Sequence, residues 1–160
     1  MDRPHHLGQP VTRVAPMAAA DAEAWVAMRE ALWPNGGDHG THAEDVARLL
    51  AEPGDTVNLM ARNGSGEPAG FAEASLRHDY VNGCDTSPVA FLEGIYVTPA
   101  MRRQGVARAL VAAVQAWARS RGCSELASDA ALDNLGSHQM HKALGFAETQ
   151  RVVYFRKTLG

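Results

Sequence analysis

The length, composition and charge of this chain are those of an ordinary globular protein. It has 160 residues, of which 46% are hydrophobic and 21% are charged, and its formal net charge is −3. This length suits one domain, and this balance excludes a disordered chain. A nucleic-acid-binding domain usually carries a basic excess, so we expect no nucleic-acid partner. We expect no membrane partner either, because no apolar run approaches the roughly 18 residues of a membrane helix.

The first ten residues, MDRPHHLGQP, contain two prolines and a glycine and no apolar stretch typical of a secretory signal. We interpret residues 1–10 as a flexible extension and predict a single domain over residues 11–160. Cys84 and Cys123 form no C-x-x-C motif. We interpret both as reduced thiols and predict a cytoplasmic protein.

Two helices are predicted first. Asp21 is a residue type that caps helices, and apolar residues recur at helical spacing from Trp25 to Leu32. A second helix is expected after Thr41-x-x-Glu44, which has the pattern of a capping box. Three β-prone segments follow, with the sequences TVNLMAR, AGFAEASLR and VAFLEGIYV.

The C-terminal half is predicted to alternate between helices and strands. A long apolar stripe indicates a helix from Gly105 to Arg121. A short strand in CSELASD, a helix over residues 134–144 and a final strand RVVYFRK complete the order. The predicted fold class is α/β (α+β), with a mixed central sheet flanked by helices.

The segment YVTPAMRRQGVARAL, where the third strand gives way to the long helix, has the features of an anion-binding site. The first turn of a helix has unpaired N–H groups and the positive end of the helix dipole. Gly105 and Ala107 keep the approach open, and three arginines add positive charge. The patterns of a P-loop and of a dinucleotide fingerprint are absent. The alternative is a glycine-opened helix with solvated arginines.

Two motifs resemble those of the GNAT superfamily of N-acetyltransferases. Residues 91–107 resemble its motif A, with Arg102, Gly105 and Ala107 in the pattern, and NLGSHQMHKALGF resembles its second signature. The resemblance implies the GNAT fold with acetyl-CoA as cosubstrate. It implies a pyrophosphate on the backbone of residues 103–108, a pantetheine arm along the third strand and an amide contact to that arm. The residues so implied are Arg103, Gln104, Gly105, Val106, Ala107, Arg108, Ile95, Tyr96, Val97 and Asn134.

Acidic side chains cluster around the expected active edge: Asp79, Asp85, Glu93, Asp129, Asp133 and Glu148. Glu93 interrupts an apolar strand, where a charge is costly unless it is paired. It is either a buried carboxylate bonded to an arginine or a carboxylate that faces a substrate amine. Asp129 ends its strand at the edge where ligands of α/β sheets bind, unless it caps a turn. Acetyl transfer to nitrogen requires a neutral amine, and therefore a group that accepts its proton.

A closer resemblance is to the aminoglycoside 6′-N-acetyltransferases of the chromosomal, dimeric type. It rests on LRHDYVNGCDTSPVAFLEGIYVTP, ASDAALDN and HKALGFAETQRVVYFRK, and it covers nearly the whole chain after about residue 14. It implies transfer of acetyl from acetyl-CoA to the 6′-amine of aminoglycoside antibiotics by direct attack in a ternary complex. Drug resistance and a homodimer follow from the same resemblance.

The same resemblance implies roles for individual residues. Trp33 would pack on a sugar ring, and Tyr80 would reach the substrate from the partner subunit. Glu93 and Asp129 are the implied catalytic and ammonium-binding residues, with Glu93 as the base. Glu148 and Gln150 complete the implied substrate site. For Trp33 and Tyr80, packing in the core or a loop is the alternative.

This chain departs from the family pattern at two positions. His141 stands where many GNAT enzymes have a tyrosine that protonates the leaving thiolate, and it is equally a packed helix residue. Gln150 is neutral where relatives carry an acid, with Glu148 as a possible substitute. No metal is expected, because His138-x-x-His141 lacks further ligands at zinc-site spacing.

Two other functions remain open at this point. One is acetylation of another cationic amine, such as a polyamine or a protein N-terminus. The other is an acyl-CoA-binding module without catalysis. The segment RHDYVNGCD favours the aminoglycoside hypothesis, because generic GNAT enzymes do not carry it.

Overall fold

The structure, a computed structural model, describes residues 13–37 and 40–160. The predicted extension over residues 1–10 lies outside the described residues. Within them the chain forms five strands and four α-helices. In chain order these are β1 (Arg13–Pro16), α1 (Ala22–Leu32), α2 (His42–Ala51), β2 (Thr56–Arg62), β3 (Pro68–Arg77), β4 (Val89–Val97), α3 (Val106–Ser120), β5 (Leu126–Ser128) and α4 (Leu135–Ala143).

The strands form one mixed sheet in the order β1-β2-β3-β4-β5. Neighbouring strands are antiparallel from β1 to β4, whereas β4 and β5 are parallel. The parallel pair requires a crossover connection, and α3 provides it. The mixed sheet with its helices confirms the predicted fold class.

Apolar side chains cover both faces of this sheet. On one face the α3 stripe of Val106, Leu110 and Val114 packs against small residues of β3 and against Leu92 of β4. On the other face, Trp25 of α1 packs with Phe71 of β3. Because β3 and β4 are covered on both sides, their sequences are almost continuously apolar.

The helix caps were predicted with mixed success. Thr41 caps α2 as expected, since its side chain accepts the N–H of Glu44 at 3.2 Å. Asp21 occupies the N-cap position of α1 without capping it. Its carboxylate instead accepts the N–H of Ala18 at 2.8 Å and pairs with Arg62.

The middle strands were predicted well and the two ends of the chain were not. β2 and β4 have the predicted boundaries, whereas β1 was missed because its four residues are too short to show a period. The predicted final strand over residues 151–157 is wrong: this segment has no regular secondary structure. A strand needs a neighbour to bond with, and no described strand lies beyond β5.

None of the helices in the described residues is long and apolar enough to span a bilayer.

Candidate active site

A β-bulge in β4 places Glu93 at the surface. Glu73 of β3 pairs with Gly94, and the next residue, Ala74, pairs with Leu92. Glu93 is therefore the extra residue between two ladder positions, and the strand bends there. Of the two alternatives for Glu93, this excludes the buried carboxylate, because the side chain of Glu93 is 36% exposed.

The Glu93 carboxylate is held by two residues of β3. Ser75 Oγ donates a hydrogen bond to Glu93 Oε1 at 2.6 Å. Arg77 Nη2 lies 3.1 Å from Oε1 and 3.2 Å from Oε2. The arginine partner of the first alternative is therefore present, but the pair lies at the surface, as the second alternative requires.

Beyond the bulge, one edge of β4 is not paired with any strand of the described residues. β5 pairs only with Ala90–Leu92 of β4. The N–H of Thr98 donates to the carbonyl of Ala69 at 2.9 Å. In an antiparallel pair every second residue forms such bonds, so Tyr96 also forms backbone hydrogen bonds with β3. The backbone groups of Ile95 and Val97 therefore point away from β3, toward the open edge. The backbone of Tyr96 bonds to β3, so among the three residues predicted to pair with a pantetheine arm, Ile95 and Val97 have the backbone groups that face the open edge.

The open edge leads to the first turn of α3. Gly105 is the N-cap residue with φ of 82°, and Arg103 has φ of 62°. Successive backbone N–H groups in such left-handed turns form anion-binding concavities. A Cβ on Gly105 would meet no described atom within 4 Å, so its positive φ, rather than crowding, is what requires glycine here.

The arginines of this turn do not act alike. Arg102 Nε donates to the carbonyl of Val97 at 3.1 Å, so this side chain closes the turn. Arg103 and Arg108 are exposed. Gln104 donates to the carbonyl of Ala100 at 3.1 Å. The structure therefore leaves the first N–H groups of α3 and two exposed guanidinium groups for an anion.

A cavity of about 420 Å³ opens on the α1 face of the sheet beside Glu93. It is lined by Arg29, Leu32, Trp33, Pro34, Asn35, Gly36, Gly37, Glu73 and Glu93. The ring of Trp33 packs directly on Gly94, where a Cβ would lie 2.4 Å from the indole. The predicted residues Trp33 and Glu93 thus meet in one cavity, and the other predicted substrate residues are not among the described residues that line it.

A buried ionic network lies under this cavity and was missed by the sequence analysis. Arg29 Nη1 contacts both oxygens of Glu73, at 2.5 and 2.6 Å, and Arg29 Nη2 contacts Asp45 at 3.1 Å. Trp25 Nε1 donates to Glu73 at 2.8 Å. The signal was present in the sequence, since Glu73 interrupts the apolar segment AGFAEASLR as Glu93 interrupts the next strand.

The network also fixes the tautomer of His42. Arg29 Nε donates to His42 Nδ1 at 3.2 Å, so Nδ1 carries no proton. His42 Nε2 must then donate to the carbonyl of Trp33, which is 2.7 Å away. This bond anchors the end of α1, and with it the cavity wall that follows Trp33.

Asp129 and His141 lie where β5 separates from β4. Ser128 pairs with Leu92, so Asp129 and Glu93 occupy the next positions on neighbouring strands. His141 Nδ1 is 2.7 Å from the carbonyl of Ser137, and Nε2 is 2.8 Å from Ser128 Oγ. Both ring nitrogens of His141 therefore have partners, which ties α4 to the end of β5.

The remaining predicted residues lie outside the cavity. Tyr80 is 74% exposed on the loop between β3 and β4. Glu148 pairs with Arg151 at 2.5 Å, which lowers the pKa of its carboxyl, and Gln150 is exposed in a segment without regular structure. Asn134 caps α4 by accepting the N–H of Ser137 at 3.2 Å.

The loop that carries Tyr80 is fastened at its far end by Glu125. This carboxylate accepts three hydrogen bonds: from the N–H of Thr86 at 2.8 Å, from the hydroxyl of Thr86 at 2.5 Å and from the N–H of Asp85 at 2.9 Å. These bonds, led by the Thr86 hydroxyl, lower the pKa of Glu125. Burial and the nearby Glu125 raise the pKa of the Cys84 thiol, which does not favour a reactive thiolate.

In the described part of the chain, no three His, Cys, Asp or Glu side chains are grouped so that they could hold a metal ion. The site combines an anion-binding turn at the start of α3, an open strand edge in β4 and a cavity that contains the Glu93 carboxylate.

This arrangement is that of an acyl-CoA-dependent transferase, and the chain belongs to the acetyltransferase (GNAT) family, whose model matches residues 25–146. The chain is 56% identical over 138 residues to aminoglycoside N(6′)-acetyltransferase type 1 of Serratia marcescens. This alignment covers 86% of this chain and 93% of that relative. These matches confirm both resemblances found in the sequence.

Solved structures agree with this assignment. The aminoglycoside 6′-N-acetyltransferase AAC(6′)-Ih from Acinetobacter baumannii is 46% identical, with a TM-score of 0.85 over 92% of this chain and 99% of its own. AAC(6′)-Iy in complex with the bisubstrate analogue CoA-S-monomethyl-acetylneamine is 45% identical, with a TM-score of 0.83 over 92% of this chain and 98% of its own.

Proposed function

We propose that the protein transfers the acetyl group of acetyl-CoA to the 6′-amine of aminoglycoside antibiotics and thereby confers resistance to them. The observation that carries this proposal is the continuity of the site. The anion-binding turn at Gly105, the open edge at Ile95 and Val97, and the acidic cavity at Glu93 follow one another along β4 and α3. The names of the relatives supply the substrate class.

Each part of the site has a distinct task in this proposal. The first turn of α3 binds the pyrophosphate of acetyl-CoA, helped by Arg103 and Arg108. The open edge of β4 pairs with the amide groups of the pantetheine arm. These contacts direct the thioester toward the end of β5, where Asp129 and Glu93 stand on neighbouring strands.

The acceptor amine attacks the thioester directly while both substrates are bound. A C–N bond forms as the C–S bond breaks, Glu93 accepts the proton that the amine loses, and the thiolate of CoA leaves. A thiol with an ordinary pKa of about 8.5 departs without a dedicated acid. The His141 ring nitrogens are both engaged in the free protein, which supports a structural role for this residue.

The acidic and aromatic residues bind the rest of the drug. An aminoglycoside carries several ammonium groups, and in this proposal the carboxylates of Asp129 and Glu148 bind some of them. Trp33 offers an aromatic face in the cavity, which suits a cationic sugar. Gln150 contributes a neutral polar contact in place of an acidic one.

We also propose that the protein is a cytoplasmic homodimer. Val153, Tyr154 and Phe155 of the unpaired C-terminal segment are 75%, 82% and 93% exposed. An apolar segment of this kind calls for a partner surface. In a dimer the exposed Tyr80 would reach the substrate of the other subunit. Both cysteines are free thiols, as expected in a reducing compartment.

Thiol release from acetyl-CoA tests the reaction and its position on the drug. Neamine and paromamine differ only at carbon 6′, which bears an amine in the first and a hydroxyl in the second. Release of CoA with neamine and none with paromamine is the expected result. Equal release with both drugs would contradict 6′-acetylation. No release with either, from protein that binds acetyl-CoA, would favour a different amine such as a polyamine or a protein N-terminus.

Light scattering tests the dimer. The expected mass is twice that of the chain at micromolar concentration, and Phe155→Asp should lower it toward the mass of one chain. A monomeric wild type would contradict both the dimer and the proposed reach of Tyr80 across it.

A further inference from the structure

Glu93 of β4, the base in the proposed reaction, is in contact with the guanidinium of Arg77 on the neighbouring strand β3. We propose that Arg77 is a positioning residue for Glu93 and that its charge keeps the bound acceptor amine from being trapped as an ammonium ion. This inference rests on the proposed acetyl transfer and adds a residue to it.

The geometry gives Arg77 a fixed place. Its guanidinium lies over the ring of Phe91, 3.5 Å from the centroid, and Phe91 is only 6% exposed. Its Nη2 faces both oxygens of Glu93. Since the aromatic ring is held in the core, the arginine stacked on it is held as well, and it orients the carboxylate in turn.

The contacts leave one carboxylate oxygen available to a substrate. Among the described residues, Glu93 Oε1 accepts from both Ser75 and Arg77, whereas Oε2 accepts from Arg77. Each carboxylate oxygen accepts about two hydrogen bonds. Oε2 therefore keeps a lone pair that is able to accept a hydrogen bond from the acceptor amine. The guanidinium of Arg77 lies beside the same oxygen.

Stability does not explain this pair. The side chains of Arg77 and Glu93 are 44% and 36% exposed. Exposed ion pairs contribute only about 0–1 kcal/mol to folding. This pair contributes little to folding, yet it connects the stack on Phe91 to a carboxylate of the cavity. The proposed catalytic role of Glu93 explains it better than stability does.

The charge of Arg77 acts on the acceptor amine. A lone carboxylate stabilises a bound ammonium ion and raises the pKa of that amine, which slows attack because only the neutral amine is a nucleophile. A guanidinium next to the same carboxylate opposes this effect. Arg77 thus lowers the affinity of the site for the protonated amine and raises the fraction of bound amine that is neutral and reactive.

The other charged groups around the cavity do not supply this cation. Arg29 and Glu73 also line it, but they contact each other and are 3% and 6% exposed. His78, which follows Arg77, pairs with Asp55 at 3.0 Å. Asp129, directly after the end of β5, is an acidic residue and supplies no cation. Among the described residues, Arg77 is the cation in contact with Glu93.

The test compares Arg77→Met with Arg77→Lys and with the control Arg119→Met. Arg119 is an exposed residue near the end of α3, and its replacement changes the net charge by the same amount. Two quantities are measured: the dissociation constant of neamine by calorimetry in saturating CoA, and the single-turnover rate of neamine acetylation from about pH 6 to 10, a range that spans ordinary amine pKa values.

Arg77→Met should bind neamine about tenfold more tightly at neutral pH and acetylate it more slowly. Its pH–rate profile should move up by about one unit and reach the wild-type rate at high pH. Arg77→Lys keeps the charge and should retain a profile near that of the wild type, as should Arg119→Met. Arg77→Gln has the same expected result as the methionine variant and replaces it if that variant does not fold.

Other outcomes would overturn the inference. A rate that is lower at every pH, with the profile and the dissociation constant unchanged, would leave Arg77 with a purely structural role. Weaker binding of neamine would show that Arg77 does not oppose the ammonium ion. Both results differ from failure of the proposed function, in which the wild-type protein itself fails to distinguish neamine from paromamine.

Discussion

Two arginine–glutamate pairs on the same face of the sheet have opposite surroundings. Glu73 and Arg77 are four residues apart on β3, so their side chains point the same way. The pair of Arg29 with Glu73 is buried, with side chains that are 4% and 9% exposed. The pair of Arg77 with Glu93 is about 40% exposed, at 44% and 36%. The same chemistry therefore has two uses, and burial decides which.

The buried pair is fully partnered and the exposed pair is not. Trp25, Asp45 and His42 complete the hydrogen bonds of Arg29 and Glu73. Removing one member would leave a buried charge without its partner. Glu93 keeps an oxygen that accepts only one bond, so a ligand is able to bind it without breaking the fold. The comparison predicts that the two glutamates respond differently to substitution.

The largest effect is expected from Glu73→Ala. This change leaves Arg29 buried without its closest carboxylate and should lower the free energy of unfolding by about 3–5 kcal/mol, measured by urea denaturation. Glu30→Ala, at an exposed position on α1 beside Arg29, is the control and should cost less than about 0.5 kcal/mol. Equal losses in the two variants would remove the distinction between the pairs.

Glu93→Gln should have the opposite effect, with a large loss of activity and a small change in stability. It removes the base but keeps the shape of the side chain, so the single-turnover rate of acetylation should fall about 100-fold or more. The free energy of unfolding should change by less than about 1 kcal/mol, because the pair is exposed. A variant that unfolds as easily as Glu73→Ala, or that keeps full activity, would contradict the division of roles.

The comparison extends to the backbone of the anion-binding turn. Gly105→Ala introduces a Cβ at φ of 82° and should cost about 1–2 kcal/mol of stability and weaken CoA binding. Gly136→Ala is the matched control, because its Cβ would meet only one atom, 3.9 Å away, within α4. It should stabilise the protein by about 0.4–1 kcal/mol. Stability is measured by denaturation and CoA binding by calorimetry. Unchanged CoA binding in the first variant would argue against a pyrophosphate at this turn.

The smallest effect is expected at Glu125, whose acceptor bonds to the loop lower its pKa in the folded protein. Such a group stabilises the fold above its ordinary pKa and loses this contribution as the pH falls through the lower, folded value. Glu125→Gln should therefore be less stable than the wild type near neutral pH, and the two should converge below about pH 4. Thermal unfolding across this range measures the difference. A gap that widens in acid would contradict the lowered pKa.

The sequence by itself determined the order of the helices and strands in the middle of the chain and the family. Hydrophobic periodicity marked β2, β4 and α3, because each is long enough to show its period and buries the matching face. The glycine and arginines at the start of α3 marked the anion site, since a left-handed N-cap needs a specific residue type. Local chemistry of this kind is readable from a single sequence.

Only the tertiary structure decided which charges are buried. Glu73 and Glu93 both interrupt apolar strands, and the sequence does not tell them apart. A bulge between β3 and β4 turns Glu93 outward, while α1 and α2 close over Glu73 with Arg29 and Asp45. The absence of a strand over residues 151–157 has the same origin, because a strand forms only where another strand lies beside it. Pairing register and the placement of distant partners are properties of the assembled sheet.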